Sequence, residues 1–511
     1  MIRCRRWAGL LSLVLVLAWC VPAAAAPDGQ LTWAVHTTLV PAWFHPIEMP
    51  SVITPFMVLY GLHDAVVKPM PGQAMAPSLA ESWSASKDGL VYELVLRKGL
   101  RFHNGDPLTA EDVKFSFERY RGVSAKLLKD KVAAVEINDP GRVRFRLKQA
   151  WPDFMMFYAG ATGAGWVMPK KYVDKVGEEG FKKAPIGAGP YKLVSFNPGV
   201  ELVFEAFDGY WRKSPNVKRL VFRVIPDEST RLAALKRGEA DIAYAMSGEI
   251  GREIQRTAGL TLKPTVIQST HFALFADQFD PKSPWHDRRV RLAANLAMDR
   301  NGINQAVSLG HSKITGSVIP STFDFYWQPP PIPRDPGRAK QLLTEAGYPN
   351  GFDAGEYNCD VVACSNTGES VVNDWKSVGI SLKVRPLERA AFFKGFSDKK
   401  LKNVIHVFGG VFGNAATRLE AFVVSGGLYA YGAYPDLDGL FRDQAAELDR
   451  AKREALLHRM QQIVHERAMF APIYELAFLN GVGSRVEESG LGLIAGYAYS
   501  APYEDLKIKS K

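Results

Sequence analysis

Strand-like and helix-like segments alternate along the whole chain, with no repeat and no low-complexity tract, which confines the fold to the mixed α/β class. Tyr92 to Leu96 alternates apolar and polar residues as a half-buried strand does. Leu108 to Tyr120 reads as a helix: Thr109 is placed to cap it, Asp112 follows three residues on, and Val113, Phe117 and Tyr120 share a face. Asp335-Pro336-Gly337 opens another helix, whose stripe is Ala339, Leu342, Leu343 and Ala346 and whose stop is Gly347. Leu232 and Leu235 precede a stop at Gly238, after which Asp241 to Ala245 reads as strand. Leu456, Met460, Ile463 and Val464 form one more apolar face. With 511 residues, 47% of them hydrophobic, the chain can fill more than one core, and two or three packed units are expected.

The N-terminus sets the compartment. Arg3, Arg5 and Arg6 head an apolar run from Ala8 to Val21, which is shorter than the roughly 20 residues a membrane span needs. Pro22 and Ala23 to Ala26 then offer a cleavage site, completing the grammar of a secretory signal peptide over residues 1–26. Trp19 before Cys20 is too large for a lipoprotein signal, so an exported chain without a lipid is expected. The formal charge is +10, and losing the three leader arginines leaves +7. The remaining basic residues are dispersed, the densest run being Lys399-Lys400-Leu401-Lys402, and with export this argues against nucleic acid. Of four cysteines, Cys359 and Cys364 remain after cleavage. In an oxidising compartment they are expected to pair, which requires a turn within 360–363, because a disulfide needs Cα atoms within roughly 7 Å. The competing reading, half a metal site, lacks a nearby histidine.

Catalytic motifs are missing. There is no H-E-x-x-H, G-x-S-x-G or P-loop, and the glycines at 409, 410 and 413 lack dinucleotide-binding spacing. The ten histidines are scattered, and His458 and His465 stand too far apart on one helix to share a metal. No catalytic residue, cofactor or metal ligand is assigned. A secreted hydrolase of peptides or glycosides stands as the alternative to a binding protein.

Several blocks carry a family resemblance. The stretch from Pro77 to Tyr120, APIGAGPYKLVSF from Ala184 to Phe196, and the run from Tyr210 to Tyr244 follow one another in order. HDRRVRLAANLAMDR from His286, DPGRAKQLLTEAGYPNGFD from Asp335, DWKSVGISLKVRPLE from Asp374 and HERAMFAPIYE from His465 complete the set. Together they resemble the bacterial periplasmic solute-binding proteins for dipeptides, oligopeptides and nickel, known as family 5. The resemblance implies a two-lobed periplasmic binding protein fold with a hinge. Lobe I would span 27–265 with an extra subdomain at about 61–183, lobe II would span 266–468, and 469–511 would return to lobe I. It also implies a periplasmic monomer that binds a peptide, a conjugated compound or a metal chelate, and that delivers it to an ABC permease and ATPase complex in the inner membrane.

In peptide-binding relatives a Trp-x-x-Asp motif of lobe II holds the peptide's amino group, and the corresponding stretch here carries Val411 and Asn414 in those places. Asn414 lacks the charge a buried ammonium needs. With Arg418 four residues on, the expected contact is with a neutral or anionic part of the ligand. The other ligand-facing candidates are His36, Trp43 and His45 from the first strand and loop, with the aromatic residues Trp166, Phe412, Tyr429 and Tyr431. Arg385 and Arg389 read as solvated.

Overall fold

The computed structural model describes residues 27–49, 54–122, 124–409, 413–494 and 496–509. The leader expected over 1–26, including Trp19 and Cys20, lies outside them, as does Phe412. Among the described residues no helix is long and apolar enough to cross a membrane.

The frame is an eleven-stranded sheet. From edge to edge its main path runs Ile380–Leu387, Phe352–Asp360, Val404–Val407, Thr261–Phe275, Phe470–Val482, Ile242–Met246, Asp28–Val35, Val217–Val224, Glu201–Ala206 and Tyr191–Asn197, and Lys313–Ile314 pairs with Phe470–Val482. Two of these strands, Thr261–Phe275 and Phe470–Val482, are long enough to serve both ends of the sheet. They pair antiparallel from Thr261↔Val482 to Val266↔Ala477, shift register, and pair again from Thr270↔Glu475 to Leu274↔Phe470. Residues 267–269 have no partner in this ladder and the register shifts again between His271 and Phe272, so the chain passes between two halves of the sheet through a ribbon whose pairing is broken there. Interrupted pairing at a two-stranded crossing is where φ and ψ can change at low cost, as hinge motion requires.

Each half closes its own core. Trp33 and Phe222 stack with centroids 5.1 Å apart in one half, whereas Phe275, Trp285 and Trp375 stack in the other. A four-stranded antiparallel sheet (Ala80–Ala85, Val91–Leu96, Arg142–Leu147, Val132–Asp139) forms a separate layer. It buries Tyr92, Leu94 and Leu96 against helix Ala110–Arg119. That helix begins as its sequence predicts. Thr109 caps it, and its backbone N–H donates to Asp112 Oδ2 at 2.9 Å in a capping box.

Other expected elements are present with small corrections. Asp335 caps helix Pro336–Glu345, which Gly347 follows at φ 95°, and Gly238 at φ 71° follows helix Glu228–Lys236. In helix Arg450–Glu466 the buried residue is Leu457, with Leu456 only half-buried. Leu457, Met460 and Val464 hold the i, i+3, i+7 spacing at the centre of the buried face, and Leu456, at i, i+4, i+7 with Met460 and Ile463, lies at its margin. Cys359 and Cys364 are bonded, with Cα atoms 5.4 Å apart. The turn that brings them together is one helical turn, Val361–Ala363, capped by the Asp360 carboxylate, which accepts from Ala363 N at 2.8 Å.

Candidate functional site

The hinge ribbon and the surfaces that meet beside it form the candidate site. On the ribbon, Ser269 Oγ accepts from Gly409 N at 2.5 Å, and Gly409 O accepts from Arg418 Nη1 at 2.9 Å. Next to it a buried polar chain runs from His271 Nδ1 to His406 Nε2 at 3.1 Å, and from His406 Nδ1 to the Tyr357 hydroxyl at 2.7 Å. Tyr474, whose ring lies 5.1 Å from that of His271, shares a 2.5 Å hydrogen bond with Thr367. Burial holds both histidines neutral, with His406 lowered to about 3. The chain therefore fixes the ribbon's far end by hydrogen bonds rather than by charge.

The halves touch away from the ribbon as well. Asp153, after the four-stranded sheet, is buried against Arg453 of helix Arg450–Glu466, and Arg453 Nη1 donates to Asp153 Oδ1 at 2.9 Å while Nη2 donates to Oδ2. Asn414 Nδ2 donates to the same Oδ1 at 2.5 Å, and Arg453 Nε donates to Gln444 Oε1 at 3.0 Å. Leu448 packs beside Gly89 at the tip of the Ala85–Val91 turn. One carboxylate from the first half is thus held by two polar side chains of the second, Arg453 and Asn414, and Gln444 steadies Arg453 from behind.

The sequence-predicted residues fall into separate groups. Arg418, Tyr429 and Tyr431 belong together: Arg418 and Tyr429 both pack on Phe422, while Tyr429 and Tyr431 both stack on Phe396. Asn414 caps helix Ala415–Phe422, its Oδ1 accepting from Thr417 N at 3.2 Å, and with Asp153 on Nδ2 both ends of its amide are engaged within the protein. Among the first-half candidates, His36 lies beside Tyr499, Nε2 to hydroxyl 3.4 Å, and near Arg231. Burial, with Arg231 adding to it, lowers its pKa to about 4. Trp43, His45 and Trp166 are buried in the first half; Trp166 packs edge-on against Phe56 and Tyr60, and His45 against Phe181. Trp43 and Trp166 share the first-half core with Ile267 of the ribbon. Arg385 pairs with Glu356 and Arg389 with Asp360, both arginines being exposed. Sequence reasoning gave no role to Asp153, Arg453, Ser269 or His271. Among the described residues no three His, Cys, Asp or Glu side chains are grouped to hold a metal.

His63 makes the histidine electrostatics testable. It is fully buried, Nε2 bonds to Phe44 O at 2.9 Å, and burial lowers its pKa from 6.5 to about 3. Its folded value is depressed, so the unfolded chain binds its proton first, and stability present above pH 6.5 is lost as pH falls toward 3. His63→Gln removes that proton uptake. Relative to wild type, the variant is expected to lose about 1.4 kcal/mol less per pH unit between pH 6.5 and 5, measured by urea unfolding at a series of pH values. Parallel pH profiles for the two proteins would contradict a neutral buried His63.

The family described as bacterial extracellular solute-binding proteins, family 5 Middle, matches residues 74–430. Heme-binding protein A of Haemophilus influenzae is 27% identical over 465 residues, 83% of this chain and 84% of that protein. The dipeptide-binding protein of Escherichia coli is 27% identical over 90% of this chain and 92% of its own. In structure, the ABC transporter substrate-binding protein CtaP of Listeria monocytogenes superposes with TM-score 0.82 at 22% identity, covering 94% of this chain and 99% of that one.

Proposed function

Because this chain belongs to the family 5 bacterial extracellular solute-binding proteins, we propose that it closes on one small solute between two lobes and presents it to an ABC permease. The solute is a peptide or a peptide-like or conjugated compound, in keeping with the dipeptide-binding relative. Lobe I takes 27–265 and 469–511, and lobe II takes 266–468. The observation that carries this reading is the pair of strands crossing between the halves with broken pairing at 267–269, together with the Asp153–Arg453 contact on the far side. One end of each lobe is tethered and the other is fastened only when the lobes are closed. A ligand touching both lobes then shifts the open–closed equilibrium by its differential affinity for the closed form. Residues 1–26 act as a cleaved export signal, and the mature chain works in the periplasm as a monomer without a cofactor. The hydrolase alternative has no support in the relatives, which are binding proteins.

The test is to denature the purified exported protein, identify the released small molecules by mass spectrometry, and return them to the refolded chain. One predominant solute, near equimolar, should rebind unchanged and reduce the radius of gyration in small-angle scattering. A released compound that the protein converts to another would favour the hydrolase.

A further inference from the structure

Five arginines are buried among the described residues: Arg231, Arg291, Arg300, Arg418 and Arg453. Four of them are saturated. Arg231 donates to the carbonyls of Tyr244, Ile225, Pro226 and Ala245. Arg291 donates to those of Ala468, Trp285, His286 and Arg467. Arg300 reaches Pro472 O and both oxygens of Asn295. Arg453 holds Asp153 and Gln444. Arg418 is the most enclosed of the five, at 0% exposure, and it makes one hydrogen bond, from Nη1 to Gly409 O. Its Nε and Nη2 are buried with no hydrogen-bond partner.

An uncompensated buried guanidinium is unfavourable unless something answers its charge. The flanking groups do so only weakly. Phe323 and Phe422 present ring centroids 5.9 and 5.5 Å from the guanidinium carbon. Glu475 lies near enough to interact with Arg418 electrostatically, but one of its oxygens accepts from Ser321 N at 3.1 Å, and it forms no ion pair with Arg418. The two empty donors have a particular geometry. Nε–H and the syn Nη2–H point the same way in the guanidinium plane, as a fork that matches the two oxygens of a carboxylate. Gly409, the one hydrogen-bond partner of Arg418, is tied in turn to Ser269 on the hinge ribbon, so the guanidinium stands beside that ribbon.

We propose that the empty Nε–Nη2 edge of Arg418 is a subsite for a carboxylate group of the transported solute. This rests on the solute-binding reading above and specifies the chemistry of its ligand. The carboxylate is gripped side-on by two charge-assisted hydrogen bonds, and Phe323 and Phe422 exclude water around the pair. Glu475 stays with Ser321 and is a neighbour of the site, not its occupant.

Acetate, with acetamide as its uncharged isostere, tests the subsite without knowledge of the natural solute. Wild type, Arg418→Met and Glu475→Gln, each refolded free of solute, are titrated at constant ionic strength while the melting temperature is followed. Acetate should raise the wild-type value saturably and acetamide should not, and Arg418→Met should bind acetate at least tenfold more weakly. Without acetate, Arg418→Met should melt no lower than wild type, since an unanswered buried charge has been removed. Glu475→Gln should bind acetate as well as wild type or better. An acetate response that survives in Arg418→Met, or that is matched by acetamide, overturns the proposal. So does a lowered melting temperature of solute-free Arg418→Met, which would mark Arg418 as the structural partner of Glu475. The importer reading fails separately, if solutes released from the protein do not compact it, whatever acetate does at Arg418.

Discussion

Gly187→Ala is expected to destabilise the protein by about 3 kcal/mol or more, at the top of the range for overpacked sites. A Cβ at position 187 would lie 2.0 Å from Leu62 O and 2.7 Å from His63 Nδ1, and one at 189 would lie 2.5 Å from Gly61 O. The obstacle is backbone, which no rotamer change can clear. The turn is also tied on its other side. Gly187 N donates to His103 Nδ1 at 3.1 Å, His103 N donates to Gly187 O at 2.9 Å, and Gly189 N donates to Leu62 O at 3.1 Å. Moving the turn to admit a methyl group breaks bonds to two segments at once. Gly439→Ala is the control. It lies in helix Pro435–Ala446, and its added Cβ would meet only Arg442 Nη2 at 4.0 Å. There the reduced chain entropy should stabilise by about 0.5–1 kcal/mol. Urea unfolding followed by circular dichroism measures both; a Gly187→Ala protein within 1 kcal/mol of wild type would show that the turn can yield.

These glycines also show what the sequence could and could not convey. Gly187 and Gly189 lie in the Ala184–Phe196 block, and local turn geometry is not what requires glycine there. Neither glycine has a positive φ, and what they supply is room for the loop leading into strand Tyr191–Asn197 to lie on the end of helix Phe56–Leu62. Local signals such as the Thr109–Asp112 capping box or the Asp335-Pro336 helix start were legible because all their partners lie within four residues. The Cys359–Cys364 bond was legible because its partners are only five residues apart. Contacts between the halves were not. Asp153 and Arg453 are 300 residues apart, and nothing in Trp-Pro-Asp-Phe distinguishes that carboxylate from the chain's other acids. Arg418 was legible as a candidate from its spacing to Asn414. Its isolation was not, because it depends on where Phe323, Gly409 and Glu475 come to rest. The aromatic candidates were the hardest to place: Trp166 and Tyr429 are equally good stacking partners on paper, and only burial sends the first into the first-half core.

Asp153→Ala is expected to weaken solute binding by about a hundredfold or more while leaving the fold of each half intact. In the closed arrangement Asp153 answers the charge of Arg453 and accepts from Asn414, and the side chains of Asp153 and Arg453 are 11% and 5% exposed. Removing one member of a buried pair strands the other charge, at about 3–5 kcal/mol. The penalty applies only when the lobes are closed, because opening separates the groups and lets water reach Arg453. A closed state destabilised by about 3 kcal/mol lowers apparent affinity by somewhat more than a hundredfold, since every 1.4 kcal/mol is a factor of ten. Arg453→Met alone strands Asp153 and should weaken binding by a similar amount. The double variant Asp153→Ala with Arg453→Met leaves no charge to bury and should recover most of the affinity, because a well-packed apolar replacement for a buried pair is often neutral or better. Calorimetry with the released solute, paired with scattering to follow closure, measures all four proteins. Additive losses in the double variant would mean that the two side chains act independently, and a wild-type affinity in Asp153→Ala would mean that closure does not depend on this contact.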